Sequence, residues 1–296
     1  MAAFIDNEAY STGRPAHESP VADPEESWLR FFELCRDLAA SGAPLAEDER
    51  MADWIYLVPV GADRDALVIG AGWGFSAVGL AERCREVFVV DNSRDRLDHL
   101  SALAQARKLD RIRAIWLPVE DQLPVEEQSF DLVHLAPSYW PCSSRRATRN
   151  WLKSIFRLVQ PGGTVHLSLP NRWAFPGLAA RPKRSSAFSL SEYKQLLSQE
   201  GFSNISFFAP LPRFDGVPLI VLPLGESGAV EFFITKLVPL IESVSTEVKK
   251  REGFVLLAAR LGLRVARLLP AERPLGLFTS GFTVIATKAG KNARAD

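Results

Sequence analysis

The stretch Ala66-Leu-Val-Ile-Gly-Ala-Gly-Trp-Gly74 decides the fold. Its first four residues form a short apolar run of the kind found in buried strands, and residues 75–83 are predicted to be helical. A glycine-rich turn between strand and helix lets a ligand approach the backbone closely, and it directs the positive end of the helix at a negative group. The stretch therefore predicts a ligand-binding turn, although a plain strand–helix turn has the same outline.

Outward from this turn, apolar runs alternate with amphipathic helices. This alternation predicts an α/β fold that is Rossmann-like and doubly wound, with a mostly parallel seven-stranded sheet. The strands are predicted at 66–69, 87–90, 112–117, 130–135, 164–169, 202–208 and 282–287. The helices between them are predicted at 75–83, 94–108, 148–158 and 191–199, with a turn at 161–163.

The rest of the chain divides by composition. Residues 1–24 are polar and contain three prolines, which is typical of a flexible leader. Apolar residues at helical spacing predict N-terminal helices within 25–60, before the core at 61–210. Seventy residues are too many for a bare loop, so 211–279 is predicted to be a helical cap, with helices near 230–248 and 252–269. Residues 280–296 complete the core and form the tail.

Composition excludes several classes of protein. Of 296 residues, 47% are hydrophobic, which is too many for a mostly disordered chain. The 35 basic residues balance the 35 acidic ones, so no general attraction to nucleic acid is expected. The three cysteines have neither disulfide-framework nor zinc-ligand spacing, and no metal site is predicted. Without a signal peptide or a long apolar run, the expected location is the cytoplasm.

Asp91 lies 21 residues after Gly70, at the end of the second predicted strand. A carboxylate there can accept both hydroxyls of a ribose, so the pattern fits a dinucleotide or an adenosyl cofactor. A dinucleotide turn needs its third glycine at position 75, where this chain has Phe75. The third glycine here is Gly74, which weakens the dinucleotide interpretation.

Five segments in order resemble the motifs of class I S-adenosylmethionine-dependent methyltransferases, in particular the small-molecule "type 11"-like members. The first is the glycine turn itself, and the second is Val87-Phe-Val-Val-Asp-Asn-Ser93. The others are Glu120-Asp-Gln-Leu-Pro-Val-Glu-Glu-Gln-Ser-Phe-Asp-Leu-Val133, Leu158-Val-Gln-Pro-Gly-Gly-Thr-Val165 and the late helix at 193–202. Together they span about residues 48–210.

This resemblance implies S-adenosylmethionine as the cofactor. It implies that Asp91 and its neighbour Asn92 hold the ribose end, and that Glu120 or Asp121 meets the adenine amino group. The chain departs from the family at Val68, where the family usually has an acid that organises the methionine end of the cofactor. By the same resemblance the glycine turn surrounds the methionine and ribose part through Gly70, Ala71, Gly72 and Gly74.

Acceptor-binding residues are expected where strands four and five end. His134 is a candidate general base because the ordinary pKa of histidine is near neutrality, although a hydrogen-bonded histidine inside a buried strand is the alternative. Ala136 stands where members that methylate exocyclic or amide nitrogens carry Asp or Asn, which argues against that chemistry. The remaining candidates are Tyr139 for catalysis and pocket shape, and Trp140, Asn171 and Arg172 for substrate.

Basic residues cluster after the same strands, at Arg145, Arg146 and Arg149 and again at Arg181, Lys183 and Arg184. They are candidates for binding a phosphate or carboxylate, with ordinary surface charge as the alternative. In the cap, Arg260, Arg264 and Arg267 form one stripe on an apolar helix. That pattern fits a lid over the pocket or a helix lying on a membrane surface.

The sequence therefore predicts an enzyme that transfers a methyl group from S-adenosylmethionine to a small molecule, with oxygen favoured as the acceptor atom. Two alternatives remain open at this point. One is a catalytically inactive methyltransferase-like binding subunit, motivated by Val68. The other is a methyltransferase that acts on a lipid-linked substrate at the membrane, through peripheral contact of the cap.

Overall fold

The computed structural model describes residues 49–117, 127–137, 139–140, 142, 144–174, 186–211, 218, 220–225 and 279–290. A 3-10 helix, Glu49–Leu57, comes first. The strands are β1 Asp65–Ile69, β2 Glu86–Asp91, β3 Ile112–Trp116, β4 Phe130–Leu135, β5 Val159–Pro170, β6 Phe202–Leu211, β7 Ile220–Leu224 and β8 Gly281–Lys288. The α-helices are α1 Phe75–Ala81, α2 Arg94–Ala106, α3 Arg145–Leu158 and α4 Leu190–Gln199.

The strands form one sheet in the order β3-β2-β1-β4-β5-β8-β6-β7. The pairs among the first five strands in this order are parallel, whereas β8 pairs antiparallel with both β5 and β6. The predicted Rossmann-like, mostly parallel α/β fold is confirmed. The order reverses between β1 and β4, and ligands of such sheets bind beside that point, outside the carboxyl ends of the strands.

The strands place apolar side chains on both faces of the sheet. One face packs against α3 and α4, where Leu152, Phe156 and Tyr193 are buried. The other packs against α1, α2 and the 3-10 helix, through residues such as Leu80 and Leu100. Because both faces are covered by helices, the central strands carry continuous apolar sequence rather than an alternating pattern.

Three helices that begin at the carboxyl edge of the sheet have serine N-caps. The side chains of Ser93, Ser144 and Ser189 each accept a hydrogen bond from a backbone N–H of the first helical turn. Ser189 forms a full capping box with Glu192. The cap at Ser144 explains why α3 begins three residues before the predicted start at position 148.

Within the described residues the sheet has eight strands, not the seven predicted. The additional strand, β7, lies inside the segment 211–279 that the sequence assigned to a helical cap, and it pairs antiparallel with β6. β7 is an edge strand, which is where a proline such as Pro223 is tolerated because one side of the strand makes no ladder bonds. The predicted helices of the cap lie outside the described residues.

Two further predictions fall partly on described residues. Of the N-terminal helices predicted within 25–60, the described residues contain the 3-10 helix, which stops two residues before Pro59. The turn predicted at 161–163 lies within β5, where Gly162 has φ +84° and the register with β4 shifts. Along the described part of the chain, no helix is long and apolar enough to cross a membrane.

Candidate cofactor and acceptor site

The glycine turn joins the end of β1 to α1 at the carboxyl edge. Gly70, Gly72 and Gly74 have φ of +94°, +54° and +87°, a region that L side chains rarely adopt. The N–H of Gly70 donates to the carbonyl of Val90 over 2.8 Å, which fixes the turn to the end of β2. A Cβ at Gly70 would lie 2.6 Å from the Cβ of Tyr139, so this position requires glycine for space as well as for conformation.

The carboxylate of Asp91 ties the turn to the loop that follows β2. Its Oδ2 accepts from the N–H of Ala71 over 2.7 Å, and its Oδ1 accepts from the N–H of Ser93 over 2.8 Å. The side chain is fully buried, and an Arg96 guanidinium nitrogen lies 3.7 Å from Oδ2. A carboxylate oxygen accepts more than one hydrogen bond, so Asp91 retains acceptor capacity for a ligand's hydroxyls.

These donors and acceptors suit the ribose of an adenosyl cofactor, because a carboxylate fixed beside the glycine turn can accept from both hydroxyls of a vicinal diol. Asn92, predicted to bind the cofactor, follows directly and is exposed. Trp116 was not predicted: it pairs with Asp91 in the sheet, and its Nε1 donates to the carbonyl of Asn92 over 3.2 Å. The sequence signal that could have identified Trp116 was a tryptophan at the end of the third predicted strand, next to the strand that ends in Asp91. Glu120 and Asp121 lie outside the described residues.

Val68 occupies the place of the family's usual acid, and its side chain is completely buried. In the sheet it is in register with Val89 of β2 and His134 of β4. The β1 strand therefore supplies no polar group at this position.

His134 is buried beneath the 3-10 helix. Its Nδ1 lies 2.8 Å from the Nδ1 of His166, the residue in register with it on β5. The indole of Trp54 stacks on both imidazoles, with centroid distances of 4.1 Å. Burial lowers the pKa of His134 to about 3 and holds the pKa of His166 well below its ordinary value. This environment matches the alternative of a hydrogen-bonded histidine inside a buried strand.

The two buried imidazoles should make stability depend on pH. They are neutral in the folded protein, whereas the unfolded chain binds protons at pH values below about 6.5, so the free energy of unfolding falls as the pH drops from about 6.5 towards 3. For one fully buried histidine the loss between pH 6.5 and 5 is about 2 kcal/mol. Chemical denaturation at pH 7.5 and pH 5 should show a smaller difference for His166→Gln than for the wild type.

The control for this prediction is His99→Gln, because His99 is exposed on α2. That variant should retain the full pH dependence of the wild type. Equal pH dependence in the wild type and His166→Gln would contradict the prediction.

Tyr139 and Trp140 lie where β4 ends. Tyr139 is buried against the glycine turn, and burial is the main cause that raises the pKa of its phenol. The ring of Tyr139 stacks against that of Trp151 at a centroid distance of 6.1 Å. Trp140 also contacts Trp151, and its Nε1 donates to Ser186 Oγ over 3.1 Å. The two predicted residues thus form an aromatic wall beside the turn.

Asn171 and Arg172 follow β5. Asn171 is fully buried; its side-chain amide donates to the carbonyl of Thr279, and its Oδ1 accepts from the N–H of Trp173. These bonds fix the loop after β5 to the start of β8, which is a structural use of the side chain. Arg172 is partly exposed and lies 3.9 Å from a carboxylate oxygen of Glu192. Within the described residues, no three His, Cys, Asp or Glu side chains are grouped as metal ligands.

Residues 66–163 match the family model of a methyltransferase domain. The search of curated proteins gave no match. Among solved structures, the YcgJ protein of Bacillus subtilis is similar over 81% of this chain and 98% of its own, with 14% identity and a TM-score of 0.45. A SAM-dependent methyltransferase from Aquifex aeolicus has 13% identity and a TM-score of 0.42, over 64% of this chain and 93% of its own.

A phosphoethanolamine N-methyltransferase 2 of Haemonchus contortus has 15% identity and a TM-score of 0.48, over 82% of this chain and 52% of its own. These sequence identities and TM-scores are too low for an activity to be assigned to this chain from them. The matched segment, in contrast, contains the glycine turn, Asp91 and the end of β4, all placed at one edge of the sheet. Residues 66–163 are therefore similar to a methyltransferase domain, and their glycine turn and Asp91 lie at the edge where this kind of sheet binds its ligands.

Proposed function

We propose that this chain is a class I S-adenosylmethionine-dependent methyltransferase and that it methylates an oxygen atom of a small molecule. The observation that carries the methyltransferase part of the proposal is the hydrogen bond from Ala71 N–H to Asp91 Oδ2, which holds a glycine turn and a buried carboxylate together at the carboxyl edge. When bound, S-adenosylmethionine supplies a methyl group already activated by its sulfonium, so the protein chiefly has to align the acceptor.

The proposal gives each predicted cofactor residue a role. Asp91 accepts the ribose hydroxyls, and Asn92 and Trp116 border the adenine end, with Glu120 or Asp121 on the amino group. The glycine turn lets the methionine part approach the backbone because the turn carries no side chain at three positions. Those positions, with the intervening alanine, are Gly70, Ala71, Gly72 and Gly74.

A base for the acceptor is not evident in the described part of the chain. His134 is bonded to His166 and covered by Trp54, and protonating it would place a charge inside the core. Tyr139 has a raised pKa and is protonated at neutral pH, so it shapes the pocket rather than accepting a proton. We therefore favour an acceptor oxygen that is ionised without help, such as a carboxylate or an acidic hydroxyl.

The class of acceptor and the methylated atom are inferred from the net charge of the chain and from the residue at position 136. A chain with 35 basic and 35 acidic residues has no excess charge with which to attract nucleic acid. Ala136, next to the glycine turn, has no acceptor for an exocyclic amino group. Both features support a small-molecule acceptor and oxygen over nitrogen. A lipid-linked acceptor at a membrane depends on the cap and stays a prediction.

The test is a screen with methyl-labelled S-adenosylmethionine against carboxylic acids, phenols, primary amines and short RNA. We expect label in the acids or phenols, and methyl esters are recognised because alkali releases their label as methanol. Label found only in amines or only in RNA would overturn the proposal.

A further inference from the structure

Three arginines meet at the carboxyl edge, beyond the aromatic wall. We define the arginine cluster as Arg145, Arg149 and Arg172, which surround Phe188 and Glu192. The guanidinium of Arg145 lies 4.7 Å from the centroid of the Phe188 ring, and that of Arg149 lies 5.8 Å from it. Arg145 is hydrogen-bonded to Glu192, and Arg172 approaches the same carboxylate oxygen.

The cluster carries more positive charge than its own carboxylate neutralises. The cluster has three guanidinium groups and one glutamate. Arg145 is within hydrogen-bond distance of Glu192, whereas Arg172 is 3.9 Å away from it. Arg149 stacks on Phe188 and makes no ion pair with a carboxylate of the described residues. Moreover, Nε of Arg145 is buried without a hydrogen-bond acceptor in the described residues. Planar guanidinium donors of this kind bind carboxylates and phosphates in a bidentate manner.

The cluster is accessible from the edge that holds the cofactor site. The side chains of Arg145 and Arg172 are 36% and 39% exposed. Arg145 begins α3 after β4, and Arg172 follows β5, so both lie where the parallel strands end. Contacts connect the cluster to the glycine turn, from Tyr139 to Trp151, from Trp151 to Trp140, and from Trp140 to Ser186, two residues before Phe188.

We propose that the arginine cluster binds an anionic group of the methyl acceptor, a carboxylate or a phosphate. The inference rests on the proposed small-molecule function and narrows its substrate class. Tyr139 lies against Gly70 of the turn, whereas the arginines contact Phe188 and Glu192, so the recognised anion is a group apart from the methylated oxygen. The acceptor is then a molecule with one end at the turn and an anionic end at the cluster.

The test follows arginine Nε–H signals by ¹H–¹⁵N NMR, in the presence of S-adenosylhomocysteine and at constant ionic strength. Inorganic phosphate and acetate are titrated separately. We expect at least one of them to shift cluster signals saturably, and Arg149→Gln and Arg172→Gln each to weaken that binding about tenfold, the loss of one charge-assisted hydrogen-bonding group. Arg146→Gln is the matched control, because Arg146 is exposed in the same helical turn. It should change the affinity by less than about twofold.

The two anions distinguish a phosphate end from a carboxylate end. No saturable shift with either anion, or equal weakening by Arg146→Gln, overturns the inference. Methyl transfer is measured separately in the acceptor screen, so the two proposals fail in different ways. Saturable anion binding with label only in amines overturns oxygen methylation, whereas label in acids without anion binding at the cluster overturns the inference.

Discussion

Replacing Gly70 with alanine should abolish binding of S-adenosylhomocysteine, with a loss of affinity of more than about a hundredfold. The Cβ of the new side chain would lie 2.6 Å from the Cβ of Tyr139 and 3.1 Å from that of Ala136. Neither atom can move without shifting the end of β4, because Ala136 N–H is bonded to the carbonyl of Ile69. The turn must then open, and the cofactor loses the backbone surface that holds it.

Gly201→Ala is the matched control for this effect. Gly201 has φ +83°, close to the +94° of Gly70, but a Cβ there meets no atom within 4 Å. Both variants carry the backbone cost of a positive φ, about 1–2 kcal/mol, and only Gly70→Ala carries the steric conflict. Thermal unfolding measures the loss of stability that both variants share, and calorimetric titration measures the loss of ligand affinity that we expect only in Gly70→Ala. Similar affinity in both variants would show that Gly70 is needed for stability alone.

Asp91→Asn should weaken S-adenosylhomocysteine binding by a factor of about a hundred or more. The amide leaves only one oxygen to accept from the N–H groups of Ala71 and Ser93, so one of these donors faces an NH₂ group. The ribose hydroxyls also lose a charged acceptor, and each charge-assisted hydrogen bond contributes about 1.5–3 kcal/mol. Loss of one or two such bonds and loosening of the turn act in the same direction.

Asp131→Asn provides the control for the loss of charge. The carboxylate of Asp131 likewise accepts a backbone hydrogen bond, from the N–H of Asp65 over 2.9 Å, but it lies near the amino end of β4. This variant should lower the free energy of unfolding and leave the cofactor affinity within about twofold of the wild type. If Asp131→Asn weakened binding as much as Asp91→Asn, the site would not be at the carboxyl edge.

The positions of most strands and of Asp91 followed from the sequence because they depend on local patterns. Apolar runs that end in glycine or aspartate mark strand ends, and parallel strands bring their carboxyl ends to one edge. The eighth strand was missed because Ile220–Leu224 is short and contains a proline. Only its pairing with β6 distinguishes it from a loop.

The surroundings of His134 could not be predicted, because they depend on register and on a distant helix. His166 lies 32 residues away, and it meets His134 only through the register of β5 against β4. Trp54 covers both rings from a segment that precedes the sheet. Similarly, Arg145 and Arg172 both approach Glu192 because α3 and α4 begin at the same edge of the sheet. The spacing of these three residues along the chain does not predict that they lie together.

We propose that Asp91 and the glycine turn hold the cofactor at the carboxyl edge of the sheet. The most direct test is a crystal structure of the enzyme with S-adenosylhomocysteine. We predict that both ribose hydroxyls lie within hydrogen-bond distance of the Asp91 carboxylate, with the methionine part against Gly70–Gly74. Density for the ligand elsewhere, such as in the groove between the 3-10 helix and α1 that Tyr56, Val78 and Arg83 line, would contradict the claim.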